Sequence, residues 1–424
     1  MKIIRFRTII ARFYRQLRDP LFKNSFFLAS SRIINISVGF FFWMAAARIY
    51  SVGDVGLTTA LIASQSLITL FSLFGFDFSL IRFLPTSNKR KVYNTCLVIT
   101  SVFSIIISVL YISCIEIISP ELVFLQKHKL AAFFLLFSLL NTITLINGNA
   151  LLALRKGGEF LVQNILLALR IPLLFILASL KSYGIFASMG LAYLFSTTFG
   201  IFMLNKLIGV HIQADKHFIR KSFKFSIWNY LSNILANVPS LIMPVMILNL
   251  LGNAEAAKYY IAAAIANFVL IIPDAIGISL FVEGSHGENL KKMLIKSASA
   301  IALCMVPLVI MIYFMGNTLL GFFGKDYIEA YGLLKLLVLS SFFVTIYMLF
   351  LPIQNIKMKP QRITLLNSLR ASLLLSLSYT FIKKLGITGY GYAWMITYGI
   401  LGLGVAGIAI ALYLTHRIKA ESKG

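Results

Sequence analysis

Charged residues are scarce in this sequence, and acidic ones are the scarcest. Only 12% of the 424 residues are charged, and 14 Asp and Glu stand against 39 Lys and Arg. A soluble domain carries about 25% charged residues to cover its surface, so the deficit excludes an ordinary water-soluble domain. The hydrophobic content of 59% and the mean hydropathy of +0.88 indicate that most of the surface meets lipid.

Cysteine and histidine are also rare, at three and five residues. Cys96, Cys114 and Cys304 all lie in apolar runs without metal-ligand spacing, so neither a disulfide framework nor a metal site is predicted. His211 and His217 share one loop, but no second ligand pair accompanies them. We expect no cofactor. The net charge of +25 does not indicate nucleic acid, because the basic residues lie between apolar spans.

Long apolar runs fill most of the chain. At roughly 20 residues per membrane-spanning helix, they divide into about twelve spans. The chain is therefore predicted to be an all-α polytopic membrane protein. The predicted spans are 26–49, 57–81, 92–115, 130–154, 160–180, 184–205, 223–250, 259–281, 294–315, 331–353, 363–382 and 386–414.

The distribution of Lys and Arg predicts the orientation of these spans. With a cytoplasmic N-terminus, 27 of the 39 basic residues lie inside, 9 lie outside and 3 lie within spans. This bias predicts a cell-membrane protein with both termini in the cytoplasm. Residues 1–23 lack the apolar core of a signal peptide. Their helical spacing of apolar residues and arginines predicts a basic amphipathic helix on the membrane surface, with a disordered basic tail as the alternative.

The second half of the sequence repeats the first. The run 184–189 matches 386–391 at an offset of 202, which also places Asn35 on Asn237, and 169–174 matches 369–374 at an offset of 200. Six spans per half predict a parallel repeat of two bundles around a cavity, with alternating access. The predicted divisions are a basic segment 1–23, a first bundle 24–206, a cytoplasmic linker 207–222, a second bundle 223–414 and a cytoplasmic tail 415–424.

Three arginines lie within the predicted spans: Arg32, Arg170 and Arg370. A charged side chain in the bilayer costs about 2.5–3.5 kcal/mol on insertion scales, which marks such residues as functional candidates. Counting along the helices places all three at similar depth, roughly 10–15 Å from the cytoplasmic face. A guanidinium binds phosphate oxygens in pairs, so we predict that the three line a cavity for an anionic ligand. Snorkelling to the headgroups, or pairing with Asp77 or Asp274, is the alternative.

Polar side chains recur at helical spacing in the seventh span. Asn229, Asn233 and Asn237 form one stripe, and Asn35 is the repeat mate of Asn237. Hydrogen bonding to sugar hydroxyls and bonding between helices are equally compatible with the stripe. Asp77 and Asp274 are the candidates for coupling to H⁺ or Na⁺. Asp274 is the better one, because Asp77 lies near a cytoplasmic end.

Several stretches carry a family resemblance: the region from Asn24 with RIINISVGFFFWMAAARIYSVGDVGL at 32–57, FGFDFSLIRFLP, YYIAAA from Tyr259, GFFGKDYIEAYGLLKLL and GITGYGYAW. Through them nearly the whole chain resembles the multidrug/oligosaccharidyl-lipid/polysaccharide superfamily. Within it, the chain resembles the polysaccharide-biosynthesis branch of O-antigen-type flippases. The resemblance implies a transporter, not an enzyme. It also implies that the protein moves a polyprenyl-diphosphate-linked glycan across the membrane, among membrane lipids, and acts as a monomer.

Two other functions compete with this prediction. A cation–drug antiporter of the same superfamily would favour acidic cavity residues, whereas this chain carries arginines within its spans. A membrane glycosyltransferase would need carboxylates on an outer loop. The first outer loop offers only Asp54 and the second Glu116 and Glu121, without a paired acidic motif. A scaffold without transport would leave the intramembrane arginines unexplained.

Overall fold

A computed structural model describes residues 20–285, 290–356 and 360–421 of the chain. These residues form α-helices, short 3₁₀ turns and connecting loops, with no strand among them. The predicted amphipathic helix falls almost wholly on residues 1–19, outside the described part. The α-helices are α1 Pro20–Ile49, α2 Val52–Ser72, α3 Phe76–Phe83, α4 Lys89–Ser113, α5 Ile115–Ile118, α6 His128–Ala153, α7 Gly157–Leu167, α8 Arg170–Ile176, α9 Ser182–Ile208, α10 Lys216–Leu251, α11 Asn253–Ser285, α12 Leu290–Gly321, α13 Tyr331–Ile356, α14 Pro360–Leu385 and α15 Ile387–Glu421.

The all-helical, multi-span prediction is confirmed. Within the described residues, eleven helical segments are long and apolar enough to cross a membrane. They correspond to the first eleven predicted spans, and α15 covers the position of the twelfth. The chain is therefore a multi-pass membrane protein.

Two predicted spans are interrupted. The second predicted span, 57–81, breaks between α2 and α3, where Phe74 (φ 43°) and Gly75 (φ 77°) take left-handed backbone conformations. The fifth, 160–180, breaks between α7 and α8 just before Pro172. Proline has no N–H for the carbonyl of Ala168, and its ring crowds that carbonyl, so a regular helix cannot continue through this point.

The chain divides into two compact units. The first comprises the described residues up to Ser51 together with Ser64–Tyr230, and the second comprises Val52–Ala63 and the residues from Leu231 onward. The boundaries of these two units fall inside α2 and α10, and the division into bundles 24–206 and 223–414 stays a prediction. A long continuous helix can contribute its two ends to different units, and sequence punctuation does not mark such a boundary.

The bounds of equivalent helices test the offset of the internal repeat, and one pair of helices is shifted from it. Helices α1 and α10 end at Ile49 and Leu251, which keeps the offset of 202. The last span differs, because α9 and α15 begin at Ser182 and Ile387, an offset of 205. The preceding residues, Lys181 and Gly386, have positive φ of 54° and 63°.

Two glycines confirm this shifted register. A Cβ at Gly184 would lie 2.1 Å from the carbonyl oxygen of Leu177, and one at Gly389 would lie 2.2 Å from that of Phe381. Gly184 therefore corresponds to Gly389, and the predicted pairing with Gly386 is wrong by three residues. The close approach of the helix start to the preceding chain end requires glycine at both positions.

The predicted linker is tied to the start of α4. The side chain of Asn94 donates to the carbonyl of Gly209 over 3.2 Å and accepts from the amide of His211 over 3.0 Å. The amide of Asp215 donates to the Thr95 hydroxyl over 3.0 Å. The segment that leads into α10 is therefore held by α4 through backbone and side-chain bonds within the first unit.

Candidate functional site

Arg170 is the first residue of α8 and is half-buried beside α1. Its guanidinium carbon lies 5.2 Å from the ring centroid of Phe42, within the range of a cation–π interaction. Three residues earlier on α1, a Cβ at Gly39 would lie 3.8 Å from Nη2 of Arg170. The guanidinium therefore packs against one face of α1, on the Phe42 ring and beside Gly39.

Asn35 lies on the same face of α1 as Gly39 and Phe42, because these positions are separated by four and three residues. Its Nδ2 donates to Oδ1 of Asn164 in α7 over 2.7 Å, and Nδ2 of Asn164 donates to the carbonyl of Phe160 over 2.7 Å. The structure thus brings Asn35 and Arg170 to one side of α1. Asn35 bonds between helices, which is the structural alternative for this residue.

Arg370 is half-buried in α14 and contacts α10, α13 and α15. Nη2 donates to the carbonyl of Leu235 over 3.2 Å and to that of Ala236, and Nη1 donates to the Tyr398 hydroxyl over 3.1 Å. The guanidinium carbon lies 5.9 Å from the Tyr347 ring centroid. Arg370 therefore connects four helices of the second unit. A side chain that snorkels would extend to the headgroups and would not make these contacts between helices.

The carbonyls that Arg370 binds have a specific origin. Pro239 lies inside α10 and has no N–H for the carbonyl of Leu235, four residues earlier. The guanidinium replaces that missing donor. The Tyr347 hydroxyl donates to Oδ1 of Asn367 over 2.7 Å. This second polar contact lies about one helical turn before Arg370.

The repeat allows the contacts of the two arginines to be compared. In the register of α1 and α10, Gly39 beside Arg170 corresponds to position 241, whereas Arg370 contacts 235 and 236. Five or six residues at 1.5 Å each place the Arg170 contact about 8 Å further along its helix. The contacts of the two arginines therefore fall at different positions of the repeat. Arg32 is exposed on α1, consistent with the snorkelling alternative.

The asparagine stripe of α10 is present but bonds partly to itself. Nδ2 of Asn237 donates to Oδ1 of Asn233 over 2.7 Å and to its carbonyl over 2.9 Å. Asn229 and Asn237 are exposed and Asn233 is half-buried. Asn229 belongs to the first unit, since the boundary follows Tyr230. The stripe is therefore accessible on the helix surface, where its amides can be reached by a polar ligand.

The candidate coupling residues differ from expectation in their surroundings. Asp77, expected near a cytoplasmic end, is half-buried at the start of α3, and within the described residues its Oδ1 is buried without a hydrogen-bond partner. Asp274 is exposed and lines a cavity of about 260 Å³ with Pro273, Gly277 and Pro352. The break before α3 turns Asp77 inward, which the continuous span predicted from sequence could not show.

One set of site residues was missed at the sequence level. Tyr390, Trp394 and Tyr398 follow one another at four-residue spacing along α15. Their rings lie 5.7 Å apart between the first two and 4.7 Å apart between the last two. This spacing is visible in the sequence. Because aromatic residues are frequent in apolar spans, the spacing alone does not indicate a binding site, and the contact with Arg370 is needed to do so.

A family model described as "Polysaccharide biosynthesis protein" matches residues 21–281. The chain belongs to this family. Among its relatives, a Shigella flexneri protein named "Putative O-antigen transporter" is 28% identical over 190 residues. That match covers 42% of this chain and 45% of the relative, so the chain aligns with less than half of the relative's length.

Solved structures of transporters resemble this family member over nearly its whole length. An inward-facing MATE multidrug transporter superposes with a TM-score of 0.64 at 13% identity, covering 92% of this chain and 99% of that one. The lipid II flippase MurJ, in an inward closed conformation, superposes with a TM-score of 0.67 at 13% identity, covering 91% and 87%. The TM-scores show a shared fold, and at 13% identity they carry no information about the substrate.

Proposed function

We propose that this protein is a flippase that moves a polyprenyl-diphosphate-linked oligosaccharide across the cytoplasmic membrane by alternating access. Membership of the polysaccharide biosynthesis family supports the process. The named activities of the relatives, O-antigen transport and lipid II flipping, support the class of substrate. Transport requires no catalytic residue, and we assign none.

The charge of the half-buried groups is the observation that carries this proposal. Arg170 in the first unit and Arg370 in the second are each half-buried and each packed on an aromatic ring. A cationic group held away from water attracts an anion strongly, because the local dielectric is low. A diphosphate offers several oxygens for paired hydrogen bonds with a guanidinium.

The roles of the site residues follow from their surroundings. Arg170, which packs beside Gly39 and Phe42, is the primary anion-binding residue in this proposal. The guanidinium of Arg370 already donates hydrogen bonds to α10 and to Tyr398. In this proposal it therefore supplies positive charge within the second unit and does not bind the diphosphate directly. Asn229, Asn233 and Asn237 offer amides to the ligand. Asp77 and Asp274 are the candidates for coupling to H⁺ or Na⁺, and both termini are placed in the cytoplasm by the basic residues.

A cation-coupled multidrug antiporter is the second candidate. The observation that favours it is the cavity of about 260 Å³ beside the exposed carboxylate of Asp274. A lipophilic cation would be attracted to that carboxylate and repelled by the half-buried arginines. The two functions therefore predict opposite charge selectivity.

The experiment uses the full chain in proteoliposomes. A labelled polyprenyl-diphosphate oligosaccharide is placed in both leaflets, and a membrane-impermeant glycosidase reports the accessible fraction over time. We expect protein-dependent movement of the lipid-linked glycan and no gradient-driven movement of a cationic dye. Dye movement without glycan movement would overturn the flippase proposal in favour of the antiporter.

A further inference from the structure

A cavity of about 180 Å³ lies within the second unit, enclosed by α10, α11, α13 and α15. Pockets for drug-sized ligands measure about 300–1,000 Å³, so this one has room for a small ligand only. No Asp, Glu, Lys or Arg lines it. No lining side chain carries a positive charge that could pair with a diphosphate, so a neutral ligand suits this cavity better than an anion.

The walls of this cavity are of two kinds. Tyr260, Tyr390 and Trp394 present aromatic rings, while Ala263 and Ala264 form a wall with short side chains. The Tyr390 and Trp394 ring centroids lie 5.7 Å apart, and Tyr390 is fixed by an edge-on contact with Tyr259 at 5.0 Å. A cavity lined by aromatic rings and small residues suits a flat ring, because the C–H face of a pyranose stacks on an aromatic face.

Polar groups with unused hydrogen-bonding capacity surround the rings. Within the described residues, the side chains of Ser240, Asn267 and Trp394 make no hydrogen bond to protein, although all three line the cavity. Pro244, also in the wall, has no N–H to donate to the carbonyl of Ser240. Donors and acceptors of this kind are satisfied by hydroxyl groups, whereas an alkyl chain would leave them unsatisfied at a cost.

The cavity lies one helical turn from Arg370 on two helices. On α15, Trp394 is four residues from Tyr398, which accepts from Arg370. On α10, Ser240 is four residues from Ala236, whose carbonyl also accepts from Arg370. Tyr390 and Tyr398 are separated by about 12 Å along the helix at 1.5 Å per residue. The positive charge of Arg370 and this neutral aromatic cavity therefore follow one another along α10 and α15.

We propose that this cavity is a sugar-binding subsite, in which one pyranose ring of the lipid-linked glycan stacks on Trp394 and Tyr390 and hydrogen-bonds to Asn267 and Ser240. The assignment rests on the proposed flippase function for its biological ligand. The binding chemistry is a separate property of the cavity, and it is measurable without transport.

The first experiment measures sugar binding alone. Trp43 and Trp228 are replaced by Phe in the full chain, so that Trp394 is the sole tryptophan of the three in the sequence. Purified protein in nanodiscs is titrated with methyl glycosides of hexoses and N-acetylhexosamines. We expect at least one to change Trp394 emission saturably, and the added Asn267→Ala change to weaken that binding about tenfold. If no glycoside changes the fluorescence emission of Trp394, the proposed sugar-binding subsite is overturned.

The second experiment measures transport with a matched control. Trp394→Leu is compared with Trp228→Leu, since Trp228 is 71% exposed and lies outside the cavity. We expect Trp394→Leu to slow movement of the glycan-bearing lipid at least tenfold and to leave movement of the sugar-free polyprenyl diphosphate unchanged. Equal slowing of both lipids would overturn the subsite. Failure of the unaltered protein to move any lipid, with saturable glycoside binding intact, would overturn the flippase proposal alone.

Discussion

Nη2 of Arg370 donates a hydrogen bond over 3.2 Å to the carbonyl oxygen of Leu235, which is the carbonyl that Pro239 leaves without an intrahelical donor. A charged residue from one span thus completes the backbone bonding of another. The proline allows α10 to depart from regular geometry at this point, and the arginine compensates for the lost bond. In a bilayer no water is available to do so.

A double substitution separates this structural role from ligand binding. Arg370→Met leaves the Leu235 carbonyl unsatisfied, at a cost of about 1–3 kcal/mol. Pro239→Ala restores an N–H at that point, so the double variant is expected to recover most of the lost thermal stability in detergent. Recovery of glycan transport together with stability would assign Arg370 to the helix alone. Recovery of stability without transport would assign it to the ligand as well.

Arg170 is expected to behave differently. In the first unit it makes a cation–π interaction with Phe42, worth about 0.5–2 kcal/mol, and it supplies the positive charge beside Gly39. We expect Arg170→Ala to reduce glycan-lipid movement at least tenfold with a small loss of stability. Arg170→Lys, which keeps the charge but loses paired hydrogen bonding, is expected to be intermediate.

Phe42→Leu is the matched control for Arg170. It removes the ring beneath the guanidinium and leaves the charge in place. We expect a stability loss with much less effect on transport per molecule of folded protein. If Phe42→Leu and Arg170→Ala lose transport equally at equal folded protein, the charge is not what the substrate recognises.

Gly56 is required by a close approach between helix starts in the second unit. A Cβ there would lie 1.7 Å from the carbonyl oxygen of Asn253 and 3.0 Å from the amide of Ala257. We expect Gly56→Ala to force the starts of α2 and α11 apart, at a cost of about 1–3 kcal/mol, seen as a lower unfolding temperature. Gly404→Ala is the control, because a Cβ there meets nothing within 4 Å. Equal stability of the two variants would contradict the packing described.

Asp215 begins α10 by accepting from the amide of Phe218 over 2.8 Å. This bond, followed by the nearby Lys91 ammonium, holds the pKa of Asp215 below its ordinary value of 3.8. The folded state favours the carboxylate, so the stabilisation is complete above the ordinary pKa and disappears as the pH falls through the lowered value.

Substitutions at Asp215 test this cap. Asp215→Ala removes the acceptor and is expected to increase cleavage of the 209–215 loop in limited proteolysis at neutral pH. Asp215→Asn keeps an acceptor for the Phe218 amide and loses only the charge, so we expect a smaller increase. Indistinguishable proteolysis of the Ala variant and the unaltered chain would show that the cap does not hold the loop.

Parts of the site were predictable from sequence and others were not. The cost of charge in lipid singled out Arg170 and Arg370 without a structure, and the repeat placed Asn35 and Asn237 at equivalent positions. Their partners were not predictable, because a hydrogen bond such as that of Arg370 to Leu235 joins residues distant in sequence. The four-residue spacing of Tyr390, Trp394 and Tyr398 on α15 is visible in the sequence. Only the hydrogen bond between Arg370 and Tyr398 indicates that these aromatic residues belong to the site.

The sequence by itself determined the environment and the local order of this protein. Its apolar runs, each long enough to cross a bilayer, and its few charges require helices in lipid, because a helix satisfies every backbone group internally. Only the tertiary structure decided where those helices break, that α2 and α10 contribute to both units, and which groups Arg170 and Arg370 contact. These features depend on packing between segments far apart in the chain, and local composition does not encode such distances.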